Sequence, residues 1–316
     1  MLRTGSCSGV AVPPAQAALS PLNGMPAGSC RALQADGVYE ISSPPRLWLD
    51  LADAVADFDI PDPQTARDIE IKVLPGTGLW VLVQYRAPIA SSRLFGTGGY
   101  NHGQYGHIAT SIQSGVVTVQ PSGPLGVVAV RVRPKVARRL VGSSLGCFLN
   151  AKVGLVDVFS RSAIAELEEK LIAARNSAER TGLVIEFLRT RLLESDPDPL
   201  ASYVAGRLGR NPVLRMRHLA ANLGVSERQM LRRFHSSFGI GPKTFARMAR
   251  LQHVLTARAS GLEWADAACA CGFVDQAHML NDARAILGVP PNHALGGSPA
   301  WGITNETSKP PTLFLW

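Results

Sequence analysis

The spacing of apolar positions changes along the chain, and the changes divide it. Residues 1–38 are rich in Ala, Pro, Gly and Ser and show no apolar period, which reads as a disordered leader. Leu47, Trp48, Leu51 and Val55 follow Pro44-Pro45 at a spacing that predicts a short amphipathic helix. Between 69 and 132 the pattern shortens. The runs 69–74, 79–86, 107–112, 115–120 and 125–132 are rich in Val, Ile and Leu, with Pro-Gly, Gly-Gly, Ser-Gly and Gly-Pro pairs between them. Apolar runs bounded by turn formers predict strands, hence a small antiparallel, jelly-roll-like β unit. Helical spacing returns after Pro134. Ser160 or Ser162 can cap a helix that aligns Ile164, Leu167 and Leu171, and a second helix carries Leu183, Ile185, Phe187, Leu188, Leu192 and Leu193. Ser195-Asp196-Pro197-Asp198-Pro199 is the sharpest punctuation and marks a domain boundary. The expected fold class is α+β: a β-rich domain with helices over 39–195, an all-α domain over 196–298, and a tail over 299–316.

The all-α segment repeats itself once. Ala220-x-x-x-Gly224 recurs as Ala268-x-x-x-Gly272, 48 residues on. Gly239-Ile240-Gly241-Pro242 recurs as Gly288-Val289-Pro290-Pro291, and Met230 as Met279, now 49 residues on. One residue has therefore been inserted in the second turn. A doubled helix-turn-helix explains the residue types. A small residue is needed where the first helix meets the second, and a glycine at the tight turn, where φ is positive. Ala220 and Gly224 fill these places in one copy, Ala268 and Gly272 in the other. Ser226 and Asp275 can then cap the following helices. Leu219, Leu223, Val225, Met230 and Phe234 are spaced to close a three-helix core. Pro242 fits the first turn of a linking helix that runs to about Ala259, roughly 27 Å long at about 1.5 Å per residue. Such a helix holds the two second helices about one DNA turn apart, near the roughly 34 Å repeat of major-groove faces.

Charge sharpens this picture. Of a formal net charge of +8, residues 200–298 carry +7, from twelve Lys/Arg against five Asp/Glu; the rest of the chain holds twenty against nineteen. A basic module on a nearly neutral body suits a polyanion, most often nucleic acid, although a basic surface can also serve solubility. Arg228 and Arg232 lie four apart and share the outward face of the helix after Ser226, where a guanidinium fork can reach guanine O6 and N7. Gln229, Arg233 and His235 flank them toward phosphates. In the second copy Gln276, His278 and Asn281 take the groove-facing places, and Gln and Asn suit adenine; His278 can equally cap or pack. Lys243, Thr244 and Arg247 open the linking helix, whose N-terminal N–H groups suit a phosphate.

These residues give the chain a resemblance to the AraC/XylS family of bacterial transcription regulators. It rests on Leu219 to Arg228 and Arg232-Arg233-Phe234, and in the second copy on Ala268, Gly272-Phe273, Asp275-Gln276-Ala277-His278 and Gly288-Val289-Pro290-Pro291. It covers roughly 200–295. The resemblance implies that positions 228 and 232 face base edges. It also implies that 44–195 is a sensing or dimerisation domain. Two positions depart from the family pattern: Ala283 stands where an aromatic equivalent to Phe234 is usual, and Asn281 where an arginine is frequent. Ile286 or Leu287 can fill the space beside Ala283.

The remaining chemistry is sparse. His102 and His107 sit five apart in a Gly-rich stretch, with Glu70 and Asp157 the nearest acids in sequence, and read as loop histidines. Five scattered cysteines fit a reducing cytoplasm, and Cys269 and Cys271 point to different helix faces. There is no phosphate-binding glycine loop, no G-x-S-x-G, and no apolar run long enough to span a bilayer. No catalytic residue, metal or cofactor is expected. The expected function is a sequence-specific, non-enzymatic, DNA-binding transcription regulator; the alternative is a metal-dependent β-barrel enzyme fused to a DNA-targeting module. The expected partners are double-stranded DNA, RNA polymerase, a small-molecule effector and a second copy of the chain, paired through the apolar faces of the helices near 160–175 and 178–194; no membrane is expected.

Overall fold

A computed structural model describes residues 30–34, 37–42, 48, 50–94, 100–105, 107–110, 115–259, 261–288, 290, 291 and 312–315. Two sheets form the N-terminal body. The larger contains β1 (Cys30–Gln34), β2 (Gly37–Ser42), β3 (Ala52–Ile60), β5 (Leu79–Gln84), β8 (Ile108–Thr110), β10 (Leu125–Val132) and β11 (Val153–Gly154), in the order β1-β2-β3-β10-β5-β8-β11. The smaller contains β4 (Glu70–Val73), β6 (Ile89–Leu94), β7 (Tyr100–Tyr105), β9 (Val117–Gln120) and β12 (Thr312–Leu315), in the order β12-β4-β9-β6-β7. All pairings are antiparallel except that of β12 with β4, through which the C-terminal tail returns to the body as a parallel edge strand.

β10 shows why the sheets stack as they do. Every residue of Leu125–Val132 is buried, as expected of a strand covered on both faces. Leu125, Val127 and Ala129 join Phe58, Ile60, Ile71 and Trp80 between the sheets. Val128, Val130 and Val132 point the other way, into a core shared with helices.

Two expectations fail here. Leu51 and Val55 do not belong to a helix: β3 runs from Ala52 and pairs with β2 and β10. The leader is not structureless to residue 38, because β1 and the start of β2 fall inside it; residues 1–29 lie outside the described part.

The helices follow the chain. α1 (Pro63–Arg67) is one short turn, and α2 (Pro134–Val141) starts at the Pro134 that ends the strands. α3 (Arg161–Ala173) is capped by Ser160, whose Oγ accepts from Ala163 N–H at 3.3 Å. α4 (Ser177–Arg189) packs on the larger sheet, where a buried polar network seats it. Asp57 accepts from the Tyr85 hydroxyl at 2.7 Å and from Arg180 Nε at 2.9 Å, and Arg180 Nη2 reaches Asp59 at 3.2 Å. Ile164, Leu167, Leu171, Val184, Ile185 and Leu188 are all buried in the body's core. The apolar stripes that suggested self-association are thus spent internally, although Ile172 remains 63% exposed.

The C-terminal helices are α5 (Pro199–Arg210), α6 (Met216–Asn222), α7 (Glu227–Phe238), α8 (Pro242–Ala259), α9 (Trp264–Ala270) and α10 (Gln276–Leu287). α5 packs on α2, α7 and α8. The core does not stop at the Ser195–Pro199 punctuation. One apolar cluster runs from Val55, Val81 and Val130 through Val136 and Leu140 to Val204, Leu208, Met230, Phe234 and Phe238. The fold class is the α+β arrangement expected from the sequence.

Candidate nucleic-acid interface

The two copies are built alike, bond for bond. In the first, the turn after α6 carries Gly224 at φ +64°, and Val225 N–H donates to the Ala220 carbonyl at 3.2 Å. In the second, Gly272 has φ +78°, and Phe273 N–H donates to the Ala268 carbonyl at 3.0 Å. Both turns need the left-handed backbone that glycine adopts without strain. Ala220 and Ala268 are buried at the junctions of α6 with α7 and of α9 with α10. Ser226 Oγ accepts from Gln229 N–H at 3.2 Å and Asp275 Oδ1 from His278 N–H at 2.7 Å, capping α7 and α10. Gly239 and Gly288, at φ +73° and +76°, close the two helices.

The inserted residue can now be placed. Val225 corresponds to Phe273 and Ser226 to Asp275, so Val274 is the extra one, and it is 85% exposed. The insertion bulges outward beside the start of α10 and leaves the core undisturbed.

Packing differs between the copies. Phe234 sits 4.6 Å from Phe238 and 5.4 Å from Phe245, centroid to centroid. In the second copy Ala283 stands at the Phe234 position and is buried with Phe273, Met279 and Leu287. That cluster also draws Leu74 and Val116 from the β body, and Ile286 packs against it. α8 spans both clusters, contributing Phe245 and Met248 to one and Leu251, Val254 and Leu255 to the other.

The outward faces carry the predicted contact residues. Arg228, Gln229, Arg232, His235, Lys243 and Thr244 are exposed, as are Gln276, His278 and Asn281. The His278 ring meets Phe273 edge-to-face at 5.3 Å, so it both packs and faces outward. Two predicted phosphate ligands are engaged within the chain. Arg233 holds Asp198, with Nη2 at 2.5 Å and Nε at 3.1 Å from its carboxylate. Arg247 Nε lies 2.6 Å from Asp282, which also takes Arg250 Nη2 at 3.1 Å. Asp198 and Asp282 lie 35 and 32–35 residues from these partners, a separation that no local pattern reveals. Arg233 holds the Asp198 carboxyl below the usual range, against the upward push of burial.

The body's histidines gain one unforeseen neighbour. His107 Nδ1 accepts from Gln84 N–H at 3.1 Å, and Nε2 lies 3.3 Å from Glu168, an acid distant in sequence. The side chain of His102 lies outside the described residues. Among the described residues no group of three metal-ligating side chains converges, and no helix is long and apolar enough to cross a membrane.

A family model described as a helix-turn-helix domain matches residues 219–296. The matched segment is a helix-turn-helix domain, and the chain is a DNA-binding transcription regulator. Among solved structures, this regulator is similar to ToxT from Vibrio cholerae at 14% identity and TM-score 0.41, over 71% of this chain and 91% of that one. It is also similar to the DNA-binding domain of AdpA, solved with a target DNA, at 27% identity and TM-score 0.28, over 31% and 92%. A third is a probable AraC family regulator from Rhodopseudomonas palustris, at 28% identity and TM-score 0.26, over 31% and 91%. No curated protein matched the chain.

Proposed function

We propose that the AraC/XylS-type regulator reads DNA through both repeats, with α7 and α10 entering successive major-groove segments on one side of the duplex. Arg228 and Arg232 contact bases from α7, and Gln276, His278 and Asn281 from α10. Gln229, His235, Lys243 and Thr244 contact phosphates. Arg233 and Arg247 leave the phosphate set, because each already holds a carboxylate. The protein acts in the cytoplasm without catalysing a reaction. The body transmits an effector signal or recruits RNA polymerase, and a second copy would add a second contact to the same duplex.

One observation carries this reading. Two turns 48 residues apart share their glycine conformation, their closing hydrogen bond and a capped helix with an exposed polar face. A chance helical bundle has no need of that coincidence. The test is selection of duplexes from a random pool by the purified chain. The expected outcome is a single enriched sequence spanning two groove segments, with affinity falling steeply as salt rises. A chain indifferent to every duplex at low ionic strength would refute the proposal.

A further inference from the structure

The repeat in the DNA reader extends to an ion pair, with its charges exchanged. In the first copy Arg233, on α7, holds Asp198 at the N-cap of α5, the helix that precedes that copy. In the second, Asp282, on α10, holds Arg247 on α8, the helix that precedes that one. Each residue of the second pair lies 49 residues beyond its counterpart, the same offset that relates Met230 to Met279. Both pairs span 35 residues. A brace between the second helix of each motif and the helix before the motif has thus been kept, while acid and base have changed sides.

The exchange alters which charges are left for DNA. The acid of the first brace lies off the reading helices, whereas that of the second lies on one, next to Asn281. The Asp282 side chain is 12% exposed, and both of its oxygens are used. Oδ1 accepts from Arg247 Nε and Nη2, each at 2.6 Å, and Oδ2 from Arg250 Nη2 at 3.1 Å. Arg250 is fixed a second time, with its guanidinium 3.9 Å from the Phe273 ring centroid. Arg247 is the more open of the two, its side chain 35% exposed against 17%. It also lies one turn beyond Lys243 and Thr244, on the same face of α8, and those two exposed residues are placed above on phosphates. Without Asp282 the Arg247 guanidinium would join them.

We propose that Asp282 is a specificity-determining positioning residue for DNA reading: it braces α10 against α8 and withholds Arg247 from the phosphate backbone. Binding to unrelated DNA is electrostatic and sequence-independent, and each phosphate contact adds about 0.9 to its salt slope. Holding one cation back therefore lowers affinity for every duplex. Bracing α10 favours only the duplex whose bases meet Gln276, His278 and Asn281, and the two effects together widen the gap between that duplex and all others. The inference rests on the DNA-reading function proposed above.

The experiment is fluorescence anisotropy of the full chain across a salt series, on the duplex selected from a random pool and on one of unrelated sequence. Asp282→Ala removes the acceptor and suits a helix interior. Binding to the unrelated duplex should tighten roughly tenfold at low salt, with a salt slope steeper by about one. The selected duplex should gain less, because α10 is no longer braced, so its preference over the unrelated one should fall at least about threefold. Adding Arg247→Gln to Asp282→Ala should return the slope to the wild-type value, and Asp282→Glu alone should keep it there. Weaker binding to both duplexes at an unchanged slope is the mark of a merely structural residue and would overturn the proposal. So would an unchanged preference, or a double variant that keeps the steeper slope. If Asp282→Ala fails to fold, Arg247→Met decides: its slope should match wild type, whereas Lys243→Ala lowers the slope by about one. A fall of that size in Arg247→Met would mean that Arg247 already reaches phosphate, and the proposal would fail. Binding to no duplex at low ionic strength is a different outcome, since it refutes DNA reading itself and this inference with it.

Discussion

At the scale of single residues, the exposed and buried arginines of this regulator do different work. Arg228 and Arg232 face outward, and each bidentate pairing with a guanine is worth about 1–3 kcal/mol of discrimination. Arg228→Ala or Arg232→Ala should therefore flatten sequence preference, whereas Lys243→Ala should weaken all sequences alike and lower the salt slope by about one. Binding of the wild-type-selected duplex and its single-base variants across a salt series separates the two patterns. Arg180 is the contrast. It is 8% exposed and supplies a charged partner to Asp57, itself 2% exposed. Removing one member of such a pair leaves a buried charge alone, so Arg180→Met should cost about 3–5 kcal/mol in urea unfolding. Asp57→Asn with Arg180→Met should recover part of that loss. Little of this was readable from sequence. Asp57 and Arg180 lie 123 positions apart, and acids are depleted in strands, so β3 with its Asp53, Asp57 and Asp59 looked unlike one.

Elements tell a different story, because turns and caps are local. The two glycine turns and both caps were legible, since each is written in three to five adjacent residues, and Pro242 marked the start of the 18-residue linking helix to Ala259. The opaque parts were β1 to β3 and the ion pairs of Asp198 and Asp282, which depend on distant chain. One glycine does two things at once. Gly239 turns the chain at φ +73°, and a Cβ there would sit 2.5 Å from the Gly146 Cα. Ser144 completes the contact by donating to the Ser236 carbonyl at 2.6 Å. Gly239→Ala should therefore both strain the end of α7 and push the first repeat off the 145–148 turn. A loss of more than about 1 kcal/mol is expected. Gly288→Ala has the same φ problem with nothing within 4 Å, so the difference between the two variants isolates the contact with the body.

For the molecule as a whole, the question is whether body and reader behave as one unit. The apolar cluster that crosses the Ser195–Pro199 punctuation makes them one core, and His253 supplies a handle on it. His253 lies on α8, 7% exposed, with a hydrogen bond to the Gly209 backbone on α5. Burial pushes its pKa below the ordinary 6.5, outweighing the opposing effect of that bond. The folded chain therefore binds this proton more weakly than the unfolded chain does. The stability tied to neutral His253 is complete above about pH 6.5 and declines as pH falls from there toward the depressed folded value. Wild-type stability should drop between pH 7 and 5 more steeply than that of His253→Gln, whose side chain cannot charge. Because the core is continuous, that loss should appear as a shift of one calorimetric transition, with van't Hoff and calorimetric enthalpies in agreement. Two transitions, only one of them sensitive to His253→Gln, would mean that body and reader melt separately.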